Sequence, residues 1–167
     1  MGANDEGITI EEMRPEDWDR VAAIYAEGIS TGLSTFETEV PPWERWDRDH
    51  LDEGRLVARA DGEVVGWAAL SRVSIRDVYR GVAEASAYVA TDARGGGVGE
   101  ALLEALVEAA EAAGIWTVEA IVFPENGPSV SMLEQTGFRV VGRRERLGRR
   151  DGRWRDVLLL ERRAASP

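Results

Sequence analysis

The chain contains no cysteine and no lysine, a single histidine (His50), and no apolar run near the roughly 20 residues that cross a bilayer. Without cysteine there is no disulfide, no thiolate metal site and no cysteine nucleophile, so an acyl-cysteine intermediate is excluded. Without lysine the P-loop pattern Gly-x-x-x-x-Gly-Lys-Ser/Thr is excluded. The opening stretch "MGANDEGITI" has no basic segment followed by an apolar one. No signal peptide is therefore expected, and a cytoplasmic protein is.

Basic charge is also scarce. Twenty arginines face 31 acidic residues, for a net charge of −11. A general nucleic-acid binder needs a basic footprint, so neither nucleic acid nor a membrane is an expected partner. The charge is uneven: residues 139–163 hold ten arginines against Glu145, Asp151, Asp156 and Glu161. That end reads as the outward face of a charged hairpin. At 167 residues the chain suits one domain, 1–167, with its core over about 8–163.

Hydrophobic periodicity orders the elements. "ITIEEMR" (8–14) alternates as a strand, and Pro15 opens a helix with Trp18, Val21, Ile24 and Tyr25 on one face. Residues 28–42 are rich in Gly, Ser, Thr and Pro, a loop long enough to suggest function. Residues 43–53 read as a short helix, in which His50 is an exposed residue and Trp43 and Trp46 pack. Residues 55–73 form two strands around Asp61-Gly62, a hairpin signal. A strand (83–90), a helix from Val98 to near Gly114, a strand (117–123) and a helix (129–137) follow. Two last strands pair across Arg150-Asp151-Gly152. Seven strands and four helices in this order predict an α/β (α+β) domain of three layers.

The stretch "RGGGVG" (94–99) stands between a strand and a helix. The first N–H groups of a helix lack internal partners and carry partial positive charge, so such a turn cradles phosphate, with Arg94 adding a full charge. A plain flexible turn is the other reading. The dinucleotide fingerprint fits poorly, because several antiparallel strands come first.

Arg94, Gly97 and Gly99 fit Arg-x-x-Gly-x-Gly. With "SAYVATDARGGGVGEALLEAL" around it and "NGPSVSMLEQTGF" after it, the chain resembles the GNAT N-acetyltransferase superfamily over about residues 8–160. The resemblance implies a central mixed, mostly antiparallel sheet of about seven strands flanked by helices, with acetyl-CoA as co-substrate and no metal. It places the pyrophosphate on Arg94, Gly95, Gly96, Gly97, Val98 and Gly99, the pantetheine arm along Tyr88 and Val89, and further cofactor contacts on Asn126 and Ser129.

"STFETE" (34–39), "SIRDVYRGVAEASAYV" (74–89) and "GRWRDVLLL" (152–160) are similar to the phosphinothricin N-acetyltransferase group. That implies acetylation of a small amino-acid-like amine of the phosphinothricin, methionine sulfoximine or methionine sulfone type, by direct transfer, in a homodimer. An acyl-CoA-binding module, or an enzyme for a protein N-terminus or an aminoglycoside, is the alternative. The zwitterionic acceptor needs a planar fork of donors for its carboxylate, which Arg76 offers, with Tyr79 beside it and Arg80 as a further candidate. An ammonium cannot attack a thioester, so a base is required: Glu84, with Glu37 the other candidate and Phe36 walling the pocket. The Val89 N–H is expected to stabilise the oxyanion. One position departs from the group. Leu133 stands in the late helix where relatives carry tyrosine or histidine, which leaves water, Ser129, Ser131 or unassisted departure for the thiolate.

Overall fold

The computed structural model describes residues 3, 4 and 7–165. Its elements are β1 (Ala3–Asn4), β2 (Ile8–Glu12), α1 (Trp18–Ser30), α2 (Trp43–Asp49), β3 (Leu56–Ala60) and β4 (Glu63–Arg72), then β5 (Val82–Val89), α3 (Val98–Ala112) and β6 (Thr117–Val122), and finally α4 (Gly127–Gln135), β7 (Arg139–Arg150) and β8 (Arg153–Arg163). One sheet runs β1-β2-β3-β4-β5-β6-β8-β7, the expected seven strands plus the two-residue β1. Only β5 and β6 pair in parallel, joined through α3. The last hairpin turns back so that β8, not β7, lies against β6.

Local chemistry explains the turns. Asp61-Gly62 and Asp151-Gly152 all have positive φ, the backbone of a type I′ hairpin turn. Val98, Leu102, Leu103, Leu106, Val107 and Ala110 give α3 an apolar stripe, which packs with Phe138 and Leu133 of α4 on one sheet face. On the other face Val21, Ile24, Tyr25 and Ile29 of α1, with Trp46 of α2, cover Val57, Trp67 and Ala69. The result is three layers, α1 and α2, sheet, α3 and α4. Arg59 ties the entry of α1 to the sheet, donating to both oxygens of buried Asp17 at 2.8 and 2.7 Å and to Glu11 at 2.8 Å.

The arginine-rich hairpin is only partly an outward charged face. Arg139 and Arg143 pair with Glu161 and Asp156 across it. Arg150, Arg155 and Arg162 instead turn inward and donate to the carbonyls of Ile29 (2.8 Å), Gly32 (3.1 Å) and Thr136 (2.7 Å). Arg155 thus holds the segment 31–42 from behind, and Arg150 the end of α1 that leads into it.

Candidate active site

The parallel pairing of β5 with β6 runs only through Val82↔Thr117, Ala83↔Val118 and Glu84↔Glu119. Beyond Glu84 the strands splay. β5 stays on β4, and β6 stays on β8. The wedge between them is a cavity of about 340 Å³, walled by Ala85–Tyr88 on one side and Ala120–Phe123 on the other. α4 contributes Ser129, Met132 and Leu133, and the loop 31–42 contributes Phe36 and Glu37.

Register decides which backbone groups face this wedge. Ala90 donates to the Val65 carbonyl, so Val65 and Ala90 form a hydrogen-bonded pair of the β4–β5 ladder. In an antiparallel ladder such pairs alternate, which aims the N–H and C=O groups of Val89, Ala87 and Ala85 away from β4. The Ala85 N–H still donates to Glu119 in the last rung with β6, and the Val89 carbonyl accepts from Arg94 at 3.5 Å. Ala87 and the Val89 N–H are left facing the wedge. Open backbone groups along an extended strand suit an amide-bearing arm. The backbone of Tyr88 does not join it, contrary to the expectation from sequence, because the Trp67–Tyr88 pair alternates into the β4 ladder. Tyr88 meets the cavity through its side chain, its ring stacked on Tyr25 at 4.9 Å and on Trp67 at 5.0 Å. Burial, and then the neighbouring Tyr25, push its phenol pKa well up, so it stays protonated.

The glycine loop lies just past β5. Gly95 and Gly97 have φ of 83° and 79°, the left-handed region, and a Cβ on either would touch nothing within 4 Å. Conformation, not crowding, asks for glycine there. Gly97 is the N-cap of α3 and offers no side chain to its first N–H groups, which therefore stay open to an anion. Gly96 and Arg94 are exposed beside them, and Val98 is buried, so its contribution is backbone alone. Gly99 is different: a Cβ there would lie 2.6 Å from Met132 Sδ, so this glycine permits α3 and α4 to pack. Asn126 caps α4, its side chain accepting from Ser129 N at 3.3 Å, and it donates to the Leu33 carbonyl at 3.2 Å. It thus couples the helix beside the wedge to the loop above it.

Glu84 sits where the strands part. Burial raises its carboxyl pKa, and the facing Glu119 raises it further. Phe36 packs edge-on against Phe123 at 4.9 Å and lies over Gly148, where a Cβ would meet its ring at 2.9 Å. Glu37 lines the same cavity, exposed and 4.0 Å from Arg45. Leu133 is 5% exposed and belongs to both the cavity wall and the core, so nothing titratable stands at its position.

Three expected residues lie elsewhere. Arg76, Tyr79 and Arg80 are on an exposed turn between β4 and β5 and do not line the Glu84 cavity within one chain. Arg76 lies over the Tyr79 ring and Arg80 over Trp116, while Tyr79 borders a second depression with Glu119. One residue appears that sequence reading placed on an exposed helix face: His50. It ends α2, bridges to Ser71 of β4 and lines the cavity half-buried. Its Nδ1 is 2.6 Å from the Trp46 carbonyl and its ring stacks on Trp46 at 4.1 Å. Burial lowers its pKa and Arg55 adds to that, against opposing effects of the Trp46 bond and Asp49.

A strand pair parted at a half-buried carboxylate, open strand amides at Ala87 and Val89 and an uncapped helix behind a glycine turn together fit an acyl-CoA-using transferase site. Comparison with known proteins agrees. Residues 18–138 match the model of the Acetyltransferase (GNAT) family. The phosphinothricin N-acetyltransferase of Alcaligenes faecalis is 35% identical over 162 residues, covering 92% of this chain and 81% of that protein. The L-methionine sulfoximine/L-methionine sulfone acetyltransferase of Pseudomonas aeruginosa is 35% identical over 147 residues, covering 84% and 86%. Among solved structures, a GNAT superfamily phosphinothricin acetyltransferase from Sinorhizobium meliloti in complex with AcCoA superposes with a TM-score of 0.84 at 28% identity, covering 94% and 88%. The ribosomal-protein-alanine N-acetyltransferase from Brucella melitensis superposes with a TM-score of 0.86 at 29% identity, covering 93% and 99%. The chain belongs to the GNAT acetyltransferase family and is an N-acetyltransferase that uses acetyl-CoA.

Proposed function

We propose that this enzyme acetylates the amino group of a small amino-acid-like acceptor of the phosphinothricin, methionine sulfoximine or methionine sulfone type. The observation that carries this is the size and closure of the Glu84 cavity. At about 340 Å³ it is at the small end of ligand sites, and the loop bearing Phe36 and Glu37 is tied over it by Arg155 and Asn126. A compact amine suits that space better than an aminoglycoside or a protein chain. The similarity to phosphinothricin and methionine sulfoximine/sulfone acetyltransferases supports the same class.

Acetyl-CoA supplies the thioester to be attacked. The open backbone groups of Ala87 and Val89 hold its amide-bearing arm, and the loop 94–97 with the first turn of α3 holds its phosphates. Ser129 and Asn126 border the arm from α4. Glu84, its pKa raised above the ordinary carboxylate value by burial and by Glu119, takes a proton from the acceptor's ammonium. The Val89 N–H, directed into the wedge, donates to the developing oxyanion. Glu37 and Phe36 shape the acceptor's side.

Arg76, Tyr79 and Arg80 keep their role in carboxylate recognition if the enzyme is a homodimer in which one copy's turn reaches the other's cavity. Val73, Ile75, Val78 and Tyr79 support this, being exposed apolar side chains around that turn, with Ile75 92% exposed. Since acetyl-CoA is an intracellular thioester, we place the enzyme in the cytoplasm.

The test is release of CoA thiol from acetyl-CoA with methionine sulfone, phosphinothricin, a peptide beginning with alanine, and an aminoglycoside. Turnover of the first two is expected. Turnover confined to the peptide or the aminoglycoside would overturn the acceptor class.

A further inference from the structure

His50 is brought to the reacting end of the cavity by register. Its backbone bridges Ser71, and Ser71 is the direct partner of Glu84 on the next strand. Directly opposed residues share a face, with Cβ atoms about 4.5–5.5 Å apart, so His50, Ser71 and Glu84 form one row across the sheet. All three line the cavity. The ring is oriented as well as placed. Nδ1 lies 2.6 Å from a carbonyl oxygen, which only accepts, so Nδ1 carries the hydrogen and the neutral ring keeps its lone pair on Nε2. Stacking on Trp46 at 4.1 Å fixes the plane.

The other ionisable groups around the cavity are engaged. Asp49 of α2 lies 3.6 Å from Arg45, and Glu37 of the loop lies 4.0 Å from the same arginine. Arg55, ahead of β3, donates to the His50 carbonyl and to Asp47, and the phenols of Tyr25 and Tyr88 are kept protonated by burial. Glu84 and His50 are left as unpaired proton acceptors among the described residues of the cavity wall. Acetylation of an ammonium needs two. One N–C bond forms, the thioester C–S bond breaks with its electron pair leaving on sulfur, and the nitrogen sheds two protons, one ending on the thiolate and one in solvent.

We propose that His50 Nε2 takes one of these two protons and Glu84 the other, which makes His50 a catalytic residue of this enzyme. The proposal rests on Glu84 acting as a base in acetyl transfer.

Because His50 is the only histidine, its imidazole gives a single Cε1–H resonance in the wild-type protein. A titration midpoint below 6.5 and an Nδ1–H tautomer by nitrogen-15 shifts are expected, the first from burial and the second from the Trp46 bond. In thiol release with methionine sulfone, His50→Asn keeps an N–H for Trp46 but has no acceptor at the Nε2 position. Its kcat should fall about 10²-fold, with the rate still climbing at pH values where the wild type has levelled, and with the KM for acetyl-CoA unchanged. His50→Gln, folded by its thermal melt, should lose as much. A His50→Asn rate within twofold of wild type with the same pH profile would overturn the proposal, as would a midpoint at or above 6.5 or an Nε2–H tautomer. If the wild type acetylates no amino-acid acceptor, the acceptor class falls, and the wild-type titration and tautomer, with the His50→Asn rate on whichever amine is acetylated, decide His50 without it.

Discussion

Gly97 and Gly99 stand two positions apart, yet the structure requires glycine at them for unrelated reasons. Alanine at position 97 must adopt φ near 79° in open space, so its cost is conformational. That cost is about 1–2 kcal/mol, offset by about 0.4–1 kcal/mol from a less flexible unfolded chain. Alanine at position 99 sits within a helix, where it gains up to about 1 kcal/mol over glycine. Its methyl meets Met132 Sδ at 2.6 Å, an overpacking worth about 1–3 kcal/mol. Both variants should therefore lose about 1 kcal/mol, or ~2–4 °C in Tm for a domain this long. Magnitude does not separate them; a double-mutant cycle does. Met132→Ala removes the atom that the new methyl strikes in Gly99→Ala. That pair should show a coupling of about 1 kcal/mol in denaturant unfolding, whereas Gly97→Ala with Met132→Ala should be additive. Gly97→Asn should be milder than Gly97→Ala, because asparagine tolerates the left-handed region. Coupling below about 0.5 kcal/mol for the Gly99 pair would refute the packing account of that glycine.

Three further outcomes follow from other parts of the molecule. Glu84 has a folded pKa above its unfolded value, so the native state binds the extra proton and loses stability as pH rises from about 4.5 through the folded pKa. Glu84→Gln should accordingly melt higher than wild type at neutral pH, with the gain vanishing as pH falls below about 4.5, while kcat drops about 10²–10⁴-fold. Asp17→Ala removes one of the two carboxylates that Arg59 holds, Glu11 remaining, and should cost about 1.5–3 kcal/mol in denaturant unfolding with the Glu84 cavity unchanged. Arg155→Gln removes the donor to Gly32 that lies over Phe123 and steadies the acceptor loop, so steady-state kinetics should show a several-fold rise in the acceptor KM and little change in that for acetyl-CoA.

The order of strands and helices was legible in the sequence because local chemistry sets it. Both Asp-Gly pairs of this chain adopt positive φ, Val98–Ala110 carries its own apolar stripe, and a glycine run ahead of that stripe marks the turn into it. The glycine loop is contiguous, so its residues could be read together. Residues 28–42 stood out as a loop too long to be idle, of which 28–30 prove to be the last turn of α1.

What shares the acceptor cavity was not readable in that way. His50, Ser71 and Glu84 belong to the end of a helix and to two strands, and only the pairings His50↔Ser71 and Ser71↔Glu84 put them in one row. A shift of one residue in Ser71↔Glu84 would turn Glu84 to the α3 side, and one in His50↔Ser71 would take the ring out of the row. The same register sends the amides of Val89 and Ala87 into the wedge and withholds that of Tyr88. Arg76, Tyr79 and Arg80 are near Glu84 in sequence, but their turn faces solvent. The chain by itself thus determined its family, its elements and its glycine turn ahead of α3, all carried by neighbours in sequence. Tertiary structure alone decided which distant side chains face the acceptor, because strand pairing, not spacing along the chain, sets what meets across a sheet.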